Sequence, residues 1–314
     1  MFVQRKRTWI ATVLFGGVAL PHVWRRVLTV TAISVAVTVL YLRVPAVHYS
    51  ITTTPFTLIG VPLGIFLGFR NNTAYDRFWE GRKLWGGLVN TARSLTRQIL
   101  TLIEPQPEAE EQSPEVVHAY EVAVVHTLIA YIHALRIHLR GESFDALVTD
   151  GLVAEGELAR LKKEPNVPIA ILFKLGEQIR DARRKQWIHA YHVPVIEQSL
   201  VSLTDLQGAC ERIKSTPTPY SYSVLMHRIV AVYCGLLPFG LAESIGWVTP
   251  VVVLFISYAL FGLDAVGDEV EEPFGLDPND LPLTSISRSI EQNARARIGE
   301  PVPPATKAKR GVLS

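Results

Sequence analysis

Cysteine is almost absent from this chain: Cys210 and Cys234 are the only two in 314 residues. Two isolated thiols build neither a disulfide framework nor a metal knuckle, so both read as ordinary buried thiols. Net charge is nearly absent as well, at +2, which argues against nucleic acid as a partner. No phosphate loop, nucleophile elbow or metalloprotease helix occurs, so no enzyme chemistry and no cofactor is expected. No run of strands is legible, and there is no internal repeat. The basic start Arg5-Lys6-Arg7 is followed by Trp9 to Leu20 without a small-residue cleavage site, so residues 1–22 read as an amphipathic surface segment and not a signal peptide. The most informative absence lies between Ile51 and Phe69, where no charged residue stands.

What is present is apolar. Hydrophobic residues make up 48% of the chain, which points to a membrane protein. Four stretches are candidate spans: Val27 to Leu42, Ile51 to Phe69, Val224 to Leu241 (interrupted by His227-Arg228), and Ile245 to Leu263. Basic residues crowd the N-terminus and the segment after the second span, at Arg70, Arg77, Arg82, Lys83, Arg93 and Arg97. The short connections Arg43 to Ser50 and Ala242 to Ser244 carry only Arg43. The positive-inside rule then puts both termini and the long middle region in the cytoplasm.

The expected organisation has five parts. Residues 1–69 hold the N-terminal segment and spans one and two. A cytoplasmic helical region covers 70–223, and spans three and four cover 224–263. An acidic segment with a short helix covers 264–299, and 300–314 form a disordered tail. Within the middle region the patterns predict helices over Ala74–Ile103, Pro114–Arg140 (capped by Ser113, ended by Gly141), Gly151–Lys163, Pro168–Tyr191 and Val193–Lys214, with a last short one over Thr284–Arg297.

Two stripes run along the second span at helical spacing. Gly60, Gly64 and Gly68 recur every fourth residue, as do Val61, Ile65 and Phe69. Residues four apart share a helix face. The glycines would admit a neighbouring backbone, as small residues do in membranes. The Val/Ile/Phe stripe reads either as packing or, repeated around a symmetry axis, as stacked apolar rings that gate by dewetting. Below it, Asn71, Asn72, Asp76, Arg77 and Glu80 read either as a helix boundary bonded within itself or as the lining of a polar vestibule.

Other polar residues carry weaker signals. His118, His126, His133, His189 and His192 have no carboxylate or cysteine at ligand offset and read as surface or vestibule histidines. The acidic run Asp264, Asp268, Glu269, Glu271, Glu272, Asp277, Asp280 lacks the spacing of a calcium loop and reads as a solvated belt beside the membrane.

Four colinear segments resemble the bestrophin channels. Val61-Pro62-Leu63-Gly64-Ile65-Phe66-Leu67-Gly68-Phe69 resembles the family's neck. Tyr75-Asp76-Arg77-Phe78-Trp79-Glu80 resembles the segment that follows it. Leu175 to Asp181 resembles a segment holding the lower aperture. Glu272-Pro273-Phe274-Gly275 resembles the opening of the calcium clasp of the animal proteins. The resemblance covers about residues 5–295, and Phe69 to Arg77 is closest to the bacterial branch.

The resemblance implies an all-α membrane protein with four transmembrane helices and a cytoplasmic helical bundle. It implies a homopentamer around one central pore in a bacterial inner membrane. Its partners would be other copies of itself, the lipid bilayer and permeant monovalent ions. Val61, Ile65 and Phe69 would be the neck and Ile179 the cytoplasmic aperture. The clasp here is degenerate, Glu272, Asp277 and Asp280, with Leu276 and Pro278 where carboxylates are expected, so calcium activation is not. Anions by family default and sodium or other monovalent cations in the bacterial branch both remain open. A membrane-anchored scaffold without conductance is the alternative, and a secondary transporter is disfavoured by the lack of intramembrane charge and inverted repeats.

Overall fold

A computed structural model describes residues 19–44, 52–107, 109, 113–308 and 312–313. Ten α-helices are found among them: α1 Ala19–Arg43, α2 Thr54–Leu102, α3 Pro114–Arg140, α4 Ala146–Thr149, α5 Glu155–Leu161, α6 Val167–Arg184, α7 Val193–Ser215, α8 Tyr220–Ile245, α9 Thr249–Glu271 and α10 Leu283–Arg297. No strand occurs among the described residues; one isolated antiparallel bridge joins Ile103 and Ile188. The chain divides into two compact units. An apolar unit draws on Gln4–Trp79 and Pro217–Glu272, and a bundle unit on Glu80–Thr216 and Pro273–Ser314. Compactness therefore divides the chain after Trp79, Thr216 and Glu272, whereas hydropathy divides it at 69, 223 and 263.

In the apolar unit, α1 packs on both α8 and α9. Its core is Val23, Val27 and Val30 of α1, Leu63 of α2, Met226, Val230, Cys234 and Leu237 of α8, and Val253 and Phe261 of α9. Ser34, Thr38, Thr249 and Ser257 are buried in the same unit. Small residues of this kind allow close helix approach where no hydrophobic driving force acts between helices. Gly60 and Gly240 serve the same end. An added Cβ would lie 2.7 Å from Tyr233 Oη at Gly60 and 2.2 Å from the Phe56 ring at Gly240.

In the bundle unit, α3 is the central element, buried along most of its length, with α6, α7 and α10 against it. Its C-terminus closes on Gly141 in the left-handed region (φ 67°), and Glu142 N–H reaches Ile137 O at 3.0 Å. Lys214 Nζ donates to His138 O (3.0 Å) and Leu139 O (2.5 Å), placing a cation on the negative end of the helix. Asn166 caps α6 by accepting from Ile169 N–H at 3.2 Å.

Hydropathy alone misjudges α3. Three described stretches are long and apolar enough to cross a membrane: Val23–Arg43, Pro114–Arg140 and Tyr220–Glu271. Protein buries 78% of the apolar window in Pro114–Arg140, against 28% and 22% in the other two. An all-round apolar helix covered by its own chain is a core helix. The expected second span is different again. Its apolar part, Thr54 to Phe69, rises about 24 Å at 1.5 Å per residue, less than a hydrocarbon core of roughly 30 Å.

Several element boundaries differ from expectation. No helix boundary exists at Arg70–Asn72, because α2 runs unbroken from Thr54 to Leu102. The expected connection Ala242–Ser244 lies inside α8; the turn is Gly246–Val248, opened by Gly246 at positive φ. Part of the acidic run, Asp264 to Glu271, is helical. The helix expected to reach Tyr191 stops at Arg184, where Gln186 turns into the left-handed region (φ 59°) and Trp187 N–H bonds back to Ala182 O at 2.9 Å. Gly151–Lys163 contracts to α5, and α4 precedes it. Ser113 caps α3 through its backbone without a side-chain cap bond. The tail is tied down at its start. Glu300 meets His126 (2.8 Å) and Arg295 (2.5 Å), and Gln292 donates to Pro303 O (2.8 Å). Residues 1–18 of the expected surface segment 1–22 lie outside the described residues, and Ala19 opens α1.

Candidate functional site

Within the apolar unit, α2 buries a single ridge: Leu63, Leu67, Arg70 and Ala74. The spacing, at i, i+4, i+7 and i+11, is one helix face. The face carrying the Val/Ile/Phe stripe is exposed. Val61 is 62% exposed, Ile65 53% and Phe69 60%, and Leu58, Ile59 and Phe66 are also exposed. A stripe of large apolar side chains left exposed needs a cover that the described residues do not supply. The glycine stripe splits. Gly60 meets Tyr233, but among the described residues an added Cβ at Gly64 or Gly68 meets nothing within 4 Å, so these two give no close helix contact there.

One step below Phe69 stands an ion cluster that joins α2 to α8 and α9. Arg70, 2% exposed, donates through Nη1 to Asp264 Oδ1 at 2.6 Å and through Nη2 to Asp268. Asp264, 1% exposed, also faces His227 Nδ1 at 2.7 Å and Arg26 at 3.8 Å. Charges this deep persist only when paired and hydrogen-bonded. Next to it, Asn71 Nδ2 donates to Leu263 O at 3.1 Å, and Gly267 leaves room for the Asn71 amide, since a Cβ there would lie 2.4 Å from Asn71 Oδ1. Arg77 Nε donates to Glu271 O at 3.1 Å. The stripe-bearing helix is thus clamped to α9 just below the stripe by three side chains, two of them adjacent and the third about two turns on.

The expected vestibule residues therefore separate. Asn71 and Arg77 are held against the α9 backbone. Asn72 and Asp76 are exposed. Glu80, in the bundle unit, pairs with Arg212 at 3.0 Å, with both side chains largely solvated, a pair of small energetic weight. Ile179, expected at the aperture, is 3% exposed in the single chain, on the same buried helix face as Leu175 and Ala182. The exposed apolar residues of α6 are Ile169 and Phe173 instead.

The degenerate clasp is also rearranged. Asp280 is buried and turned onto its own loop, its Oδ2 accepting from Asp277 N–H at 2.7 Å. Phe274 is buried with its ring 3.1 Å from the Cβ position of Gly81 on α2, so the Pro-Phe pair acts as a wedge against that helix. The one His/Asp group among the described residues with metal-like spacing is His227, Asp264 and Asp268. Arg70 already bonds to both of its carboxylates.

The histidines are not surface residues throughout. His133 is 1% exposed and its Nε2 lies 3.0 Å from Glu291 Oε2. Arg288 (2.7 Å) and Arg295 (2.9 Å) complete that cluster. Burial alone would raise the Glu291 pKa. The His133 and Arg295 hydrogen bonds and the surrounding positive charge outweigh it and hold the carboxyl at about 2. Burial pushes the Cys210 thiol up to about 12, as befits an inert core thiol. Sequence reading missed the Arg70 cluster because its members lie about 190 residues apart. The only local signals were His227-Arg228 interrupting an apolar run and the offset of four between Asp264 and Asp268.

A profile described as Bacterial/Fungal Bestrophin protein matches residues 1–296. A protein of Ralstonia nicotianae named voltage-dependent anion channel-forming protein is 40% identical over 96% of this chain and 95% of its own length. One of the same name from a Nostoc species is 36% identical over 93% of this chain and 92% of its own. A crystal structure of a bacterial bestrophin homologue from Klebsiella pneumoniae superposes with a TM-score of 0.81 and 30% identity, covering 89% of this chain and 99% of that one. With a profile spanning nearly the whole chain, relatives matched end to end and the same fold, this chain belongs to the bestrophin family, in its bacterial and fungal branch.

Proposed function

We propose that this chain is the subunit of a pentameric channel that conducts small monovalent anions through an axial neck lined by Val61, Ile65 and Phe69. The observation that carries the reading is the exposed, charge-free stripe on α2, set apart from the buried Leu63 and Leu67 ridge. Five copies around an axis would cover the stripe and turn each residue into an apolar ring. Such rings hold back water and ions until they widen. Gly64 and Gly68, which meet nothing among the described residues, would then face the neighbouring copy. The Arg70, Asn71 and Arg77 bonds to α9 would set the angle at which α2 leaves the neck.

Anions are favoured over cations by the names of the relatives from Ralstonia and Nostoc. The neck has a means to pass them, since the edge of the Phe69 ring carries the positive part of its quadrupole. The four apolar stretches serve as membrane spans, α2 crossing in the interior of the assembly where its shorter apolar length is tolerated. Both termini lie on the cytoplasmic side of a bacterial inner membrane. Calcium has no role in gating, because Asp280 is committed to its own loop.

The test is reconstitution of purified protein in planar bilayers under asymmetric salt. Ohmic unitary currents with a chloride-side reversal potential support the reading. A sodium-side reversal potential overturns the anion assignment. Silence in both the wild type and a Val61→Ala/Ile65→Ala/Phe69→Ala variant overturns the channel. A sharp rise in flux with micromolar calcium overturns calcium independence.

A further inference from the structure

A second site lies wholly within the bundle unit, apart from the stripe. α2 and α7 enclose an open groove of about 610 Å³ that includes Asn90, Thr91, Ser94, Arg97, Gln198 and Ser202. Its floor is built and buried: Ser199 Oγ donates to Gln98 Oε1 at 2.8 Å, and Gln98 Nε2 reaches Val195 O at 3.5 Å. Both side chains are more than nine-tenths buried. Pro194 and Val195, in the first turn of α7, add an apolar wall.

The chemistry of the lining is one-sided. No residue lining the groove is acidic. Arg97 makes no ion pair or side-chain hydrogen bond among the described residues, whereas Arg70, Arg136, Arg140, Arg180, Arg184, Arg212, Arg288 and Arg295 all have carboxylate partners. Hydroxyl and amide donors surround it. A guanidinium presents parallel N–H groups that match the two oxygens of an oxyanion, and hydroxyls complete its shell. The volume exceeds the need of a halide and leaves room for a short carbon skeleton against Pro194 and Val195.

From this we infer that the α2/α7 groove binds a small oxyanion, with Arg97 as the charged anchor and Thr91 and Ser94 as hydroxyl donors; the Ser202 hydroxyl is held by Gln198 O at 2.8 Å. The site takes a carboxylate or a tetrahedral oxyanion in preference to chloride. It goes beyond the proposed neck, and its occupancy is read by binding, without ion flux, so the two proposals stand or fall separately.

The experiment is isothermal titration calorimetry of the purified full-length protein in detergent, with sodium sulfate and sodium acetate as probes and ionic strength held with sodium chloride. Saturable binding is expected. Arg97→Met is expected to weaken it at least tenfold, and Ser94→Ala about threefold. Arg93→Met, which removes an exposed cation outside the groove, is expected to leave it unchanged. Both altered arginines are exposed, so folding is not at stake. Saturation by both probes identifies the carboxylate class as admissible, and saturation by sulfate alone restricts the site to tetrahedral oxyanions. Absence of saturable binding by either probe, an unchanged affinity in Arg97→Met, or an equal loss in Arg93→Met overturns the inference.

Discussion

Removing the Arg70 side chain tests how the stripe-bearing helix is held. In Arg70→Met, Asp264 stays 1% exposed but loses its closest guanidinium, and Asp268 loses a partner as well. Breaking a buried ion pair by deleting one member costs about 3–5 kcal/mol, because a desolvated charge is left behind. Asp264 keeps His227 at 2.7 Å and Arg26 at 3.8 Å, which places the loss at the lower end, about 3 kcal/mol. The assay is thermal unfolding of the detergent-solubilised protein, where that loss lowers Tm by roughly 6–12 °C. Replacing both buried partners, Arg70→Met with Asp264→Asn, is expected to recover most of it, since no buried charge is then left unpaired and Asp268, 45% exposed, is solvated. A single variant within about 1 kcal/mol of wild type, or a double variant no more stable than the single, would refute the view that pairing in a buried setting is what clamps α2 to α9.

Three other outcomes follow from the geometry. Widening the neck by Phe69→Ala alone is expected to raise unitary conductance in bilayers with little loss of stability, because that side chain is 60% exposed; a large Tm loss would show that it is packed. Gly81→Ala puts a Cβ 3.1 Å from a buried Phe274 ring, and overpacking at about 1–3 kcal/mol exceeds the helix-propensity gain of about 1; denaturant titration is expected to find net destabilisation. The depressed Glu291 pKa makes its contribution fully present above about pH 4.5, the unfolded carboxyl's range, and lost as pH falls towards about 2. The shift corresponds to about 3 kcal/mol, so stability of the wild type is expected to drop steeply in that window and that of Glu291→Gln to change little there, as followed by tryptophan fluorescence.

Much of the architecture was legible because its signals are local. Helix α3 was bounded to the residue by Pro114 and Gly141, which act through the helix ends they occupy. The four apolar stretches and the Val61, Ile65, Phe69 stripe are periodic patterns that any single helix displays. Element ends were less legible where tertiary contacts override local signals. Arg70-Asn71-Asn72 looks like a helix boundary until Asp264, Asp268 and the Leu263 carbonyl are brought beside it, after which nothing forces the helix to stop. Hydropathy likewise could not separate α3 from a span, because burial by protein and burial by lipid select the same side chains.

The amino-acid sequence by itself determined that the chain is helical, rich in membrane-type apolar runs, and marked by a charge-free helix with two stripes. It also carried the family resemblance, since neck, aromatic, bundle and clasp segments are contiguous words. Only the tertiary structure decided which side of each helix is free. It left Val61, Ile65 and Phe69 bare, buried Ile179, turned Asp280 onto its own loop, and joined Arg70 to acids some 190 residues away. The physical reason is that a helix period names a face but not its neighbour. Whether that face meets its own chain, lipid, solvent or another copy is settled only when distant segments have packed.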